Sequence, residues 1–90
     1  MPLSRGRYRG HDFNRMVCLF TMLNGEETVN CAVSWTLMDD LERARGTRAH
    51  ERDTQFERLR DVIETIASRK FFSIPDGEKP DEILITSRDR

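Results

Sequence analysis

The chain has few of the residues from which disulfide frameworks and metal sites are built. Its 90 residues include two cysteines and two histidines. Two cysteines are too few for a disulfide scaffold, and a structural zinc site needs about four Cys or His ligands at short spacings. The sequence contains neither a C-x-x-C pair nor a glycine-rich phosphate loop. We therefore expect no metal and no cofactor.

Long apolar runs are also missing, since no stretch approaches the ~20 apolar residues that span a bilayer. The longest nearly apolar run, residues 16–23, is followed at once by Glu26 and Glu27 and has no A-x-A cleavage site. We therefore expect a cytoplasmic protein without membrane contacts, whose thiols stay reduced. The formal net charge of −1 gives no global attraction to nucleic acid.

What the sequence does contain is a strong hairpin signal at Asn24-Gly25, because this dipeptide favours a two-residue loop. In that register Leu23 pairs with Glu26, and Cys18 faces Cys31. A bulged three-residue loop is the alternative. One face of the hairpin then collects the apolar side chains of Met16, Cys18, Phe20, Val29, Cys31 and Val33.

Two helices and a third strand are predicted after the hairpin. The first helix covers about 35–45, is capped by Ser34 or Thr36 and ends before Gly46. The second begins within 48–54 and ends near Lys70, because apolar residues recur there at steps of three and four. The β-branched residues of 82–87 predict a strand. It can pair with either edge of the hairpin.

Together these elements predict an α+β fold of order β-β-α-α-β. A small antiparallel sheet, made of the hairpin and the C-terminal strand, carries both helices on one face. A single domain covers residues 13–90, and residues 1–12 form a flexible basic N-terminal arm.

The arm contains the most suggestive polar residues, namely Arg5, Arg7, Tyr8 and Arg9. Arginines can contact phosphates, and a tyrosine can stack on a base. The same residues could bind an acidic protein surface, and a solvated tail is the third alternative. A nucleic-acid contact of this kind would be weak and salt-sensitive.

Catalytic constellations are hard to assemble from this chain. Both histidines lie in polar stretches, and a nucleophilic site needs a base that is itself oriented. The carboxylate pairs, such as Asp39-Asp40, lie at turns or helix starts, and adjacent residues on a helix point apart. Buried strand cysteines lack the electropositive, exposed setting that activates a thiol. We therefore expect no catalytic residues and no enzyme.

Three segments, VNCAVSWTLMDDLE, FERLRDVIETIASRKF and ILITSRD, resemble a family of small bacterial proteins that is known as domain-of-unknown-function family 1488. The resemblance covers about residues 13–89. It implies a compact α+β domain from a bacterial cytosol with no established activity, and it assigns no functional residue.

The remaining apolar side chains suggest how such a domain could act. Val17, Leu19 and Ala32 lie on the second face of the hairpin, and Trp35 follows at the strand–helix junction. If no other segment covers them, this surface would seek another chain. We therefore predict a protein-interaction module that binds an unknown partner or itself, with a nucleic-acid-binding accessory protein as the alternative.

Overall fold

The computed structural model describes residues 2–90, and it contains four strands and two α-helices over that range. Short 3-10 turns cover Ala49–Glu51, Asp76–Glu78 and Ser87–Asp89. The main elements, in chain order, are β1 (Ser4–Asp12), β2 (Val17–Asn24), β3 (Glu27–Ser34), α1 (Trp35–Glu42), α2 (Arg52–Ser73) and β4 (Glu82–Ile85). They form one sheet of order β1-β2-β3-β4. The predicted α+β class with two helices is confirmed. The sheet has four strands where three were predicted, since a third strand precedes the helices.

The hairpin of β2 and β3 forms as predicted, but its register is shifted by two residues. Asn24 pairs with Glu27, so the loop is Gly25-Glu26. Gly25 has φ +63°, as the first central residue of a type II′ turn requires. Cys18 therefore faces Val33, and Cys31 faces Phe20. The predicted pairing of Cys18 with Cys31 is wrong.

Residues 4–12 are a strand and not a flexible arm, so the predicted domain boundary at residue 13 is wrong. β1 pairs antiparallel with β2, with two irregularities in register. Leu3, just before it, is buried, and its N–H donates to Ser68 Oγ of α2 at 2.9 Å. An edge strand needs fewer apolar residues than a central one, and its glycines fit bulges. Because arginine and glycine alternate in this segment, the sequence pattern did not identify the strand.

β4 pairs with β3 in parallel, and the sheet is mixed where we expected an antiparallel one. Both helices lie in the connection between these strands. A long connection of this kind returns the chain to the same end of the sheet, so the next strand runs parallel. The opposite edge of the hairpin is occupied by β1.

The helix boundaries follow local signals. Ser34 Oγ accepts the N–H of Leu37 at 3.1 Å, so Ser34 is the cap of α1. The helix ends at Glu42, earlier than predicted, because Arg43 adopts the left-handed conformation with φ 53°. α2 begins within its predicted window and continues to Ser73.

The core lies between the sheet and the helices. It combines the inward side chains of β2, β3 and β4 with one face of α2 and part of α1. Its largest fully buried members include Phe20, Met22, Leu37, Met38, Phe56, Ile63, Ile83 and Ile85.

Candidate functional site

β1 divides its polar side chains between the two faces of the sheet. Arg5 points to α2, where Nη2 lies 2.7 Å from Asp61 Oδ1 and Nε donates to Glu64 at 2.9 Å. The ring of Tyr8 stacks on Phe56 with 4.5 Å between centroids. Two of the four predicted contact residues are therefore engaged inside the domain. The ring face of Tyr8 that stacks on Phe56 is therefore closed to a base.

Arg7 and Arg9 line a shallow cleft of about 500 Å³ together with Thr21, Leu23 and Thr28. Both arginines are exposed. Within residues 2–90, no carboxylate oxygen lies within 4 Å of either guanidinium. These two arginines are thus available for an anionic ligand.

A polar cluster lies where β1 meets the start of α2. The hydroxyl of Tyr8 donates to Asp53, and His11 Nδ1 lies 3.0 Å from the same carboxylate. The hydrogen bond from Tyr8, followed by that from His11, lowers the pKa of Asp53. Burial raises the pKa of Tyr8, so its hydroxyl stays protonated and remains a donor.

Cys18 faces His11 across β1 and β2, which completes a cysteine, histidine and aspartate combination that sequence reasoning missed. Only the pairing register of β1 with β2, had it been predicted, could have revealed this combination from the sequence. Nucleophilic catalysis requires a thiol within hydrogen-bond reach of its base. Here the Cys18 Sγ is directed to the carbonyl of Arg52 at 4.0 Å, and burial raises the pKa of the thiol. The arrangement therefore favours the protonated thiol of Cys18.

Cys31 is likewise buried and free. Burial raises the pKa of its thiol to about 12. The prediction that both cysteines pack as small apolar side chains is confirmed.

The predicted interface residues are mostly not exposed. Val17 and Ala32 are buried, Leu19 is half-buried, and Trp35 is buried under the guanidinium of Arg52, 4.7 Å from its ring centroid. An ion pair also connects the start of the hairpin to β4. Arg15 Nη1 donates to Glu82 at 3.1 Å and so joins the β1–β2 turn to β4, with β3 between them. The four residues do not form the exposed patch that the interface prediction required.

The largest exposed apolar side chains lie elsewhere, first on the turn between β1 and β2. We call residues 13–16 the apolar turn. Phe13 is 64% exposed and Met16 is 57% exposed. Met16 was predicted to face the core, but it has φ 56° and lies outside β2. Asp12 and Asn14, which are turn-forming residue types, were the signal that could have located this turn.

The backbone of the apolar turn is fixed at several points. Asp12 accepts the N–H of Arg15 at 3.2 Å, and the carbonyl of Met16 accepts the N–H of Trp35 at 2.9 Å. The ring of Phe13 meets the ring of Trp35 edge-on, with 5.9 Å between centroids. The turn thus presents two apolar side chains in a defined arrangement.

A second apolar surface follows the outer face of α2. Val62 is 47% exposed, and Phe72 is 51% exposed. Two shallow clefts of about 340 and 390 Å³ lie beside Thr65 and Arg69 on this face. Leu41 lines the first cleft, and Pro2 lines the second.

Over residues 2–90, no group of three or more His, Cys, Asp or Glu side chains could hold a metal ion. No helix in this range is long and apolar enough to cross a membrane. The fold and these surfaces define a small α+β domain with a mixed four-stranded sheet and two exposed apolar features.

The family model described as "Protein of unknown function (DUF1488)" matches residues 5–76, and the chain belongs to that family. The match begins inside β1, so the first strand is part of the family's domain. No curated protein matches the chain. No solved structure matches it either.

Proposed function

We propose that this protein is a non-enzymatic interaction module that binds a partner protein through the apolar turn. The observation that carries the proposal is the exposure of Phe13 and Met16 on a turn whose backbone is held by hydrogen bonds. Aromatic residues, methionine and arginine are the types enriched in protein interfaces. Phe13, Arg15 and Met16 supply all three within four residues.

Burial of these two side chains would contribute to the free energy of binding. Fully burying a Phe or Met side chain contributes about 1.5–3 kcal/mol. Since Phe13 and Met16 are a little more than half exposed, closing a partner over both would contribute roughly 2–4 kcal/mol. A turn that is already ordered loses little conformational entropy on binding.

The non-enzymatic part of the proposal is supported by the chemistry of the polar cluster. Cys18 is the strongest nucleophile candidate there, and its thiol is buried with a raised pKa. We also propose a cytoplasmic location, because reducing compartments maintain free thiols such as those of Cys18 and Cys31.

The test is site-specific photo-crosslinking in native cells. A photoreactive phenylalanine analogue replaces Phe13 in one variant and Phe72 in the matched control, since both side chains are aromatic and more than half exposed. We expect a defined protein other than this chain to be captured from position 13 and not from position 72, and crosslinks between two copies of this chain are not counted. With that protein purified, Phe13→Ser should weaken binding at least tenfold, and Phe72→Ser should not. Equal capture from both positions, or none from position 13, would contradict the proposal.

One observation favours a second candidate function, namely binding of single-stranded nucleic acid to the face of the sheet that carries Arg7 and Arg9. Their guanidiniums have no carboxylate within 4 Å among residues 2–90. Two phosphate contacts would give a shallow salt dependence, with a slope of about −1.4 in log affinity against log salt. Retention of an oligonucleotide at low salt that is lost in Arg7→Ala/Arg9→Ala, but not in Arg69→Ala, would support this function. Absence of retention would exclude it.

A further inference from the structure

The outer face of α2 has a centre line and two flanks. Arg58, Thr65 and Phe72 recur at seven-residue spacing, which in a helix places them nearly one above the other. All three are exposed. Asp61 lies on one flank of this line and Arg69 on the other, each four residues from Thr65.

We infer that this face of α2 is a contact surface for a second copy of this chain, with the two helices antiparallel about a two-fold axis at Thr65. A two-fold interface must be complementary to itself. The arrangement of charge and size along α2 satisfies this condition.

The charges are complementary across the axis. With a rise of 1.5 Å per residue, Asp61 and Arg69 lie about 6 Å on either side of Thr65. The two-fold operation therefore brings Arg69 of each copy to the height of Asp61 of the other, and two ion pairs form. The Asp61 side chain is 94% exposed although it accepts a bond from Arg5, and Arg69 has no carboxylate within 4 Å among residues 2–90.

The uncharged positions are complementary as well. Thr65 meets its own copy on the axis, where a small side chain lets the helices approach. Phe72 falls opposite Arg58 of the second copy, whose guanidinium donates to Glu42 at 2.9 and 3.0 Å and can lie over the aromatic ring in that fixed position. The clefts on either side of Thr65 and Arg69 leave room for the side chains of the opposing helix.

The size of this face of α2 indicates a weak dimer. α2 ends at Ser73, so two copies related by an axis at Thr65 overlap over residues 57–73, and a strip about 25 Å long and about 10 Å wide covers roughly 250 Å² per copy. Stable interfaces bury about 800 Å² per partner. An interface far below that size is expected to be weak, with Kd on the order of 0.1–1 mM at the weak end of the affinity scale.

Sedimentation equilibrium of the full chain over this concentration range tests the inference. The weight-average mass should rise from 10.6 kDa toward twice that value. Asp61→Arg and Arg69→Asp should each remain monomeric, because each places like charges opposite one another. An equimolar mixture of the two variants should associate again, because both ion pairs are restored between unlike chains.

The mixture separates an interface effect from an effect on folding, since two misfolded variants would not restore one another. Phe13→Ser is the matched control and should dimerise like the unmodified chain, which keeps this test independent of the apolar turn. A chain that stays monomeric at 1 mM would overturn the inference. So would a dimer that both charge variants leave intact, or a mixture that stays monomeric.

Discussion

Replacing Gly6 with alanine tests whether residues 4–12 belong to the folded sheet. A Cβ atom at Gly6 would lie 2.5 Å from both the carbonyl oxygen and the hydroxyl oxygen of Thr21 on β2. The carbonyl belongs to the backbone of a paired strand and cannot turn away, so β1 must shift. Overpacking of this kind costs about 1–3 kcal/mol. Alanine recovers about 0.4–1 kcal/mol by restricting the unfolded chain.

We therefore expect Gly6→Ala to lower the free energy of unfolding by about 1–2 kcal/mol. A domain of this size loses about 4–8 °C in Tm per kcal/mol, so Tm should fall by roughly 5–15 °C. Urea unfolding followed by the fluorescence of Trp35, the single tryptophan, measures the change.

Gly77→Ala is the matched control for this experiment. A Cβ atom there meets nothing within 4 Å, and no left-handed backbone is required. It should leave stability unchanged or raise it slightly. If Gly6→Ala proved as harmless as Gly77→Ala, the placement of β1 against β2 would be refuted.

Two further predictions concern buried groups. Cys18 and Cys31 should react with a thiol reagent in the native protein only at the rate of unfolding, because both are buried with raised pKa values. Both should react at once in urea. Rapid modification of the native protein would contradict their burial. Asp39→Ala should lower the free energy of unfolding by about 3 kcal/mol at pH 7, since it leaves the buried Arg52 without its carboxylate partner, whereas Asp76→Ala, at a fully exposed carboxylate, should not. Burial alone would raise the pKa of Asp39, but hydrogen bonds from Arg52 and Gln55 outweigh it and lower the pKa. The stabilisation is therefore complete above the unfolded-state pKa and is lost as pH falls through the lowered folded-state pKa. Unfolding measured from pH 7 to pH 2 should show the difference between Asp39→Ala and the unmodified chain closing in acid, and a constant difference would refute this account.

The elements that sequence predicts well are those set by local interactions. The cap at Ser34 depends on an N–H three residues away, and α2 follows from apolar spacing within one segment. β1 depends on distant partners, such as the bond from Leu3 to Ser68 and those from Arg5 to α2. Since nothing in residues 1–12 alone fixes these contacts, the strand resembles a loose basic tail in the sequence.

The candidate surfaces were harder to predict than the core, because exposure depends on what lies on top of a residue. Val17 and Ala32 alternate with core positions, and this alternation predicts that they face solvent. In the structure both are buried, and the ion pair of Arg15 with Glu82 connects the β1–β2 turn to β4. Met16 continues the inward alternation, but the chain turns at its left-handed backbone and leaves it exposed. The sequence pattern therefore predicted the wrong exposure for Val17 and Ala32, from which an interface was inferred, and for Met16, which was assigned to the core.

The hairpin shows why a wrong register still predicted the right core. Side chains alternate with a period of two along a strand, so a shift of two residues changes every partner but leaves every side chain on its face. Cys18, Phe20 and Met22 are buried with Val29, Cys31 and Val33 in either register. Which residues join the core depends only on this parity, which the apolar pattern fixes. Which residues face each other depends on the loop, and here the true loop separates the two cysteines that the predicted one would have brought together. A prediction of core membership is therefore robust to an error of this size, whereas a prediction of a pairwise site, such as a disulfide, is not.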